Sequence, residues 1–311
     1  MRKLAIVAAL LAAAPLFAQE QKNVQLLKGL TSLQLQRTMN MMRASLGTHC
    51  DYCHVFNEKD GRWDFANDEK PEKKRGREMI ALTMDINQKS FGGRPVVSCY
   101  TCHRGSIKPV NLVALPQTAP PFPTPAVVKP QRPAPKDVIA RYAAAVGDVA
   151  KLDDLALKGT REGWDGKQEP LEITKQGDHY HVKTGELEQD FGAAEGTVNG
   201  KPMNAGQLEN MHQLTGAFAF VKPSDIPADA RAIDATTLAA GNQRFTFDAD
   251  GLLIRRVVLT DTPVGRIPQQ TDYSDYREVA GVKLPHTIKV SLVDPWVGAT
   301  RRYSVIEPLK R

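Results

Sequence analysis

The sequence predicts a multi-domain chain of two unlike halves: an all-α amino-terminal module and an α+β carboxy-terminal domain, the latter a curved antiparallel sheet with one or two helices. Three observations carry this. A helix-period run, a glycine and a Cys-x-x-Cys-His motif follow one another twice before residue 105. Nine prolines then crowd between Ser106 and Lys136. Beyond them the apolar pattern shifts to alternation broken by turn residues, the signature of strands. At 311 residues the chain is long enough for two cores.

Ahead of the first module, Arg2 and Lys3 precede an unbroken apolar run from Leu4 to Ala14, and Leu16-Phe17-Ala18 precedes polar Gln19 and Glu20. This is the pattern of an export signal, residues 1–18, cleaved after Ala18. The run is too short to span a bilayer, and no later run reaches the ~18 residues a spanning helix needs, so no transmembrane segment is expected after cleavage. The charge of +6 reflects 41 Lys and Arg against 35 Asp and Glu, partly through Arg2 and Lys3. No basic tract with interleaved aromatics accompanies it, which gives no support to nucleic-acid binding.

All four cysteines lie in Cys50-Asp51-Tyr52-Cys53-His54 and Cys99-Tyr100-Thr101-Cys102-His103. One helical turn separates two thiols by the distance between the vinyl groups of a haem, and the adjoining histidine then stands over the ring to bind its iron. Cys50, Cys53, Cys99 and Cys102 are therefore expected as thioether sites of two covalent haem c groups, with His54 and His103 as proximal iron ligands. A zinc site made from both cysteine pairs leaves the paired histidines unexplained. A redox dithiol does not come duplicated. Export suits haem attachment, and no thiol is left for a disulfide framework.

Each iron needs a sixth ligand or an open position. Ser32 is placed to cap a helix reaching about Ser45 and ending at Gly47. Leu35, Met39, Met42 and Leu46 share one face of it, and Met41 points elsewhere. Pro71 opens a second helix to about Gln88, on which Met79, Leu82 and Ile86 share a face and Met84 lies on a neighbouring one; Phe91-Gly92-Gly93 breaks it. Either helix, folded back over its haem, offers a thioether; the alternative is that the methionines only fill the core.

The stretch Leu46-Gly47-Thr48-His49 leading into Cys50, with Met84-Asp85-Ile86-Asn87 and the segment from Cys99 through Arg104-Gly105 to Lys108-Pro109, resembles the haem segments of the tetrahaem cytochrome c subunit of photosynthetic reaction centres. The resemblance covers roughly residues 24–110. It implies a helix before each haem and a methionine on that helix as sixth ligand. Carried over by position, this points to Met39 for the first haem, with Met42 in reserve, and to Met79 for the second, with Met84 in reserve. This chain has two motifs rather than four. The resemblance therefore implies a multihaem electron-transfer module, not the photosynthetic role.

The proline-rich tether, residues 109–136, should be stiff and extended, separating a dihaem domain at 19–108 from a domain at 137–311 and leaving few contacts between them. In the second domain Asp137 caps a helix to about Gly147, and a further helix is expected over Asn204–Leu214. Strands are expected around Leu171–Ile173, Tyr180–Val182, Lys283-Leu284, Thr287–Leu292 and Arg302–Ile306, with a hairpin joining Arg244–Phe247 to Leu252–Leu259 through Asp250-Gly251. The segment from Tyr273 through Tyr276-Arg277 and Ala280-Gly281 to Pro285 resembles the last strands of lipoprotein-carrier-like domains of the Lol type. That resemblance implies an open half-barrel and a place for an apolar ligand or a lipoprotein.

Other features read plainly. His179 and His181 share one side of a strand without an evident third ligand, and His49 is poorly placed to bind its own haem. Lys73-Lys74-Arg75-Gly76-Arg77 is a solvated helix face or a docking patch for an acidic redox partner. Three functions compete: a periplasmic dihaem electron carrier meeting redox partner proteins, a dihaem redox enzyme such as a peroxidase, and a carrier of apolar ligands. A methionine before each haem favours the first, because an enzyme needs an open or displaceable iron position.

Overall fold

The computed structural model describes residues 22–109, 111–112, 115–116, 118, 132–152, 154–218 and 220–309. The expected export signal and most of the proline-rich tether lie outside the described residues.

The amino-terminal module begins with α1 (Ser32–Leu46), capped one residue earlier than the sequence suggests. Thr31 accepts the Gln34 N–H while the Gln34 side chain accepts the Thr31 N–H, a reciprocal capping box. A 3-10 turn over Cys50–Tyr52 follows, then a hairpin of β1 (Val55–Asn57) and β2 (Arg62–Asp64). Next come α2 (Pro71–Phe91) and the short α3 (Cys99–His103).

The hairpin overturns the expectation of an all-α module. Phe56 and Trp63 face each other across the strands with ring centroids 5.0 Å apart. The tip is closed by Asn57 donating to Asp60 and by Gly61 at φ 60°. An aromatic cross-strand pair over a glycine turn stabilises a hairpin even at three residues a side.

The carboxy-terminal domain opens with α4 (Pro135–Val146). It continues through β3 (Leu155–Glu162), β4 (Gln168–Gln176), β5 (His179–Thr184), β6 (Leu187–Phe191), β7 (Gly196–Val198) and β8 (Lys201–Pro202) to α5 (Ala205–Phe218). Then follow β9 (Arg231–Ala232), β10 (Thr237–Ala240), β11 (Gln243–Phe247), β12 (Leu253–Thr262), β13 (Gly265–Val279), β14 (Val282–Leu292) and β15 (Ala299–Pro308). All thirteen strands join one antiparallel sheet in the order β8-β7-β6-β5-β4-β3-β15-β14-β13-β12-β11-β10-β9. Neighbours in sequence are neighbours in the sheet, except that β8 and β9 lie at its two edges and β15 pairs with β3 in the middle.

One face of the sheet is apolar by period two: Leu155 and Leu157, Leu171 and Ile173, Phe245 and Phe247, Val282 and Leu284 are all buried in one core. Val138, Tyr142 and Val146 of α4 and Met211 of α5 cover that face. Tyr142 donates its hydroxyl to the Val221 carbonyl, so its one polar atom is satisfied inside the core.

The two domains touch closely, against the expectation of few crossing contacts. The β12–β13 turn delivers Val264 and Ile267 into the core of the amino-terminal module, beside Leu27, Met41 and Ile80.

Candidate functional site: two haem-attachment turns

The end of α1 aims the first motif. Gly47 adopts φ 63° and ψ 39°, and its N–H closes on the Arg43 carbonyl. The chain then turns through Cys50–Tyr52, where the Cys53 and His54 N–H groups both reach the Cys50 carbonyl at 3.3 and 2.9 Å. Cys50 and Cys53 therefore lie one turn apart with free thiols, and His54 follows directly. Burial pushes the Cys53 thiol up, with Glu72 adding to it.

The His54 ring lies edge-on to Phe65, centroids 5.0 Å apart, and its Nδ1 is buried without a hydrogen-bond partner. Burial, then the charges of Lys73, Arg77 and Lys70, push its imidazole down to about 4. A ring kept neutral holds a lone pair for a metal. Phe65 is fixed from α2: Lys73 donates to the carbonyls of Phe65 and Asn67, and Lys73 and Arg77 both pair with Asp68 at 2.9 and 2.8 Å. Much of the basic run at 73–77 is thus used internally, and only Lys74 has no such role among these contacts.

The second motif is set by Asn87, a buried residue that the sequence reading did not single out as an anchor. Its side chain accepts from the Val96 and Val97 N–H groups and donates to the Val97 carbonyl. The loop after α2 is so tied down one residue before Ser98, the cap of α3. A polar residue near a helix end before a glycine pair was the available signal. His103 Nδ1 lies 3.0 Å from the Ser106 carbonyl, which can only accept, so Nδ1 carries the proton and Nε2 is free to bind a metal. Burial pushes the Cys99 thiol up; Cys102 is exposed.

The two turns are joined. Gly105, just past the second motif, donates its N–H to the Ser45 carbonyl at 2.8 Å. A Cβ on Gly47 would lie 2.1 Å from the Gly105 carbonyl oxygen.

The methionines divide by depth. Met41 is buried in the core with Leu27, Ile80 and Val264, while Met39 and Met42 are half-buried at its margin. On α2 the buried positions are Ile80, Thr83 and Asn87, one step off the predicted stripe, and Leu82 is 50% exposed. Met84 packs on the same core as Cys99, whereas Met79 is half-buried outside it. Among the described residues, no three His, Cys, Asp or Glu side chains are grouped as an all-protein metal site requires. The cysteine pairs are thus not gathered as a zinc site would gather them. The other histidines have local partners: His179 and His181 both reach Asp190, His212 the Gly192 carbonyl and His286 the Leu284 carbonyl.

Free thiols one turn apart, each pair followed by an imidazole with an unused nitrogen, fit haem c. Residues 5–144 match the family model described as the photosynthetic reaction centre cytochrome C subunit. The amino-terminal module is a c-type cytochrome module.

Its covalently bound cofactor is accordingly haem c. Among curated relatives, cytochrome c-554 of Chloroflexus aurantiacus is 36% identical over 96 residues, 29% of this chain and 21% of that one. The photosynthetic reaction center cytochrome c subunit of Thermochromatium tepidum is 34% identical over 99 residues, 30% of this chain and 23% of that one. The cytochrome match thus spans under a quarter of either relative. The rest of the chain is loosely similar to solved structures of another kind. A LolA superfamily protein from Nitrosomonas europaea aligns with 57% of this chain and 94% of its own, at 8% identity and a TM-score of 0.31. A DUF1329 family protein from Desulfovibrio piger aligns with 55% and 90%, at 9% identity and a TM-score of 0.34. Among the described residues no helix is long and apolar enough to cross a membrane.

Proposed function

We propose that the chain is a periplasmic dihaem cytochrome that passes electrons between redox partner proteins. One haem is held by Cys50, Cys53 and His54, the other by Cys99, Cys102 and His103. The observation that carries this is the pairing of two such turns through the Ser45–Gly105 hydrogen bond, which keeps the two attachment segments in contact. The bound group supplies a one-electron iron couple. The protein's part is to fix it: thiols for attachment, Phe65 against His54, and Ser106 orienting His103. Met39 and Met79 are the proposed sixth ligands, with Met42 and Met84 in reserve. Met84, unlike Met79, packs on the same core as Cys99, which favours the reserve at the second haem. The β-rich domain at 137–311 is an accessory docking domain.

The test is attachment and spin state. The holoprotein should keep two haems per chain through acid-acetone extraction, and replacing Cys99 and Cys102 by Ala should leave one. Both ferric haems should be low-spin. One high-spin haem would move a redox enzyme such as a peroxidase ahead. Bound zinc, or haem that washes out, would end the cytochrome reading.

A further inference from the structure

The turn between β14 and β15 reaches the first haem segment by charge and by ring contact. Asp294 accepts the Asn40 side-chain amide at 2.9 Å and caps the Trp296 N–H at 3.2 Å. Its Oδ1 lies 3.8 Å from Arg43 Nη2, with the two side chains only 16% and 11% exposed. That distance is an ion pair without a hydrogen bond, and Arg43 Nε and Nη2 are buried with no hydrogen-bond partner. The Arg43 guanidinium lies instead 4.4 Å from the centre of the Trp296 ring. Trp296 in turn stacks with His49, the residue before Cys50, at 6.2 Å, and Trp164 backs it edge-on at 6.4 Å.

We infer that this turn of the carboxy-terminal domain is a clasp that sets the reduction potential of the first haem, with Arg43 and Asp294 as positioning residues of opposite effect. The inference rests on the dihaem reading. A cation out of water, compensated by one carboxylate at ion-pair distance, opposes the extra positive charge of a ferric centre nearby and so favours the ferrous state. Asp294 subtracts from that field. Trp296 lies between the guanidinium and the His49 ring and shields the guanidinium from water. The accessory domain then tunes the redox module through this contact.

The experiment is a potentiometric titration of the full-length holoprotein, with the waves assigned by a Cys50→Ala/Cys53→Ala variant that keeps only the second haem. Arg43→Gln should shift the first wave down and Asp294→Asn should shift it up, with the second wave unmoved by either. Arg43→Lys, which keeps the charge, should restore most of the first shift. Trp296→Ala should lower the first wave. A purely structural clasp would behave differently, because both charge variants would loosen it, admit water and lower the first wave together; that result would overturn the inference. Equal movement of both waves, or none, would also overturn it. A Cys50→Ala/Cys53→Ala chain that loses no wave would overturn the dihaem reading itself and this inference with it. Visible spectra and melting curves of each variant show that the fold is retained.

Discussion

Replacing Gly47 by Ala tests whether the two Cys-x-x-Cys-His turns are built as one unit. Gly47 sits in the left-handed region, which costs a residue with a Cβ roughly 1–2 kcal/mol. Gly92 ends α2 in the same conformation, φ 61° against 63°. Their surroundings differ. A Cβ on Gly92 meets nothing within 4 Å, while one on Gly47 would fall 2.1 Å from the Gly105 carbonyl oxygen and 2.9 Å from its carbon. Backbone cannot yield as a side chain can. Moving Gly105 pulls its N–H from the Ser45 carbonyl, a bond worth about 1 kcal/mol net. Gly92→Ala should therefore cost about 1–2 kcal/mol and Gly47→Ala about 2–4 kcal/mol. Urea unfolding of the holoprotein, followed by circular dichroism and the Soret band, measures both; unchanged slopes would show that the midpoints report stability. Equal costs at the two glycines would refute the close approach of the attachment turns.

Met39→Ala and Met79→Ala should each lower one haem's potential or turn that haem high-spin without loss of covalent haem, read by redox titration and ferric spectra; the same effect from Met42→Ala or Met84→Ala would move the ligand along its helix, and no effect from any of the four would exclude methionine. Met41→Ala should leave both haems spectroscopically intact yet cost about 2–5 kcal/mol in denaturation, because Met41 fills the core between α1 and the β12–β13 turn. Asp68, held well below the usual carboxylate range by its hydrogen bonds to Arg77 and then Lys73, should stabilise the fold fully above about pH 4 and lose that contribution as pH falls through its depressed folded value. The gap in melting temperature between wild type and Asp68→Asn should therefore be widest near neutrality and close on acidification, and a constant gap from pH 7 to pH 3 would contradict the pairing.

The two Cys-x-x-Cys-His turns were legible because their residue order is fixed in the sequence, and no packing context can change which atoms are offered. Both helices before them were legible too, from capping and glycine signals, within a few residues. Their buried faces were less so. On α2 the apolar stripe of Met79, Leu82 and Ile86 is not the one the fold buries; Ile80, Thr83 and Asn87 are, because the loop to Ser98 needs the Asn87 amide underneath it. The hairpin at 55–64 escaped notice since three-residue strands give no usable period, and only Phe56 and Trp63 across Gly61 hinted at it. The contacts of Val264 and Asp294 could not be read at all. A proline-rich tether says how far apart two domains can sit and nothing about whether their surfaces fit.

The accessory domain's inward face bears on what that domain is for. A carrier of apolar ligands needs an open concavity. The larger cavity, of about 510 Å³, lies between α5 and strands β11–β13 and is lined by Leu208, Glu209, His212, Gln243, Arg256 and Gln269. Beneath α4, Leu155, Leu157, Phe220, Leu284, Ile288 and Ile306 surround a gap of only about 10 Å³, space for a single water. Tyr142 and Phe247 pack against each other within the same core, and α4 seals the sheet from that side. An acyl chain entering there would have to displace close-packed side chains, a cost that volume changes of one methylene already begin to register. The turns of the sheet, by contrast, are committed to the cytochrome module. A Cβ on Gly265 would lie 2.5 Å from the Cβ of Ser98, the residue before Cys99, and Trp296 stacks on His49, the residue before Cys50. One domain thus touches the residue ahead of each attachment turn. On the proposed dihaem reading, that convergence is what a scaffold orienting the two attachment turns would require.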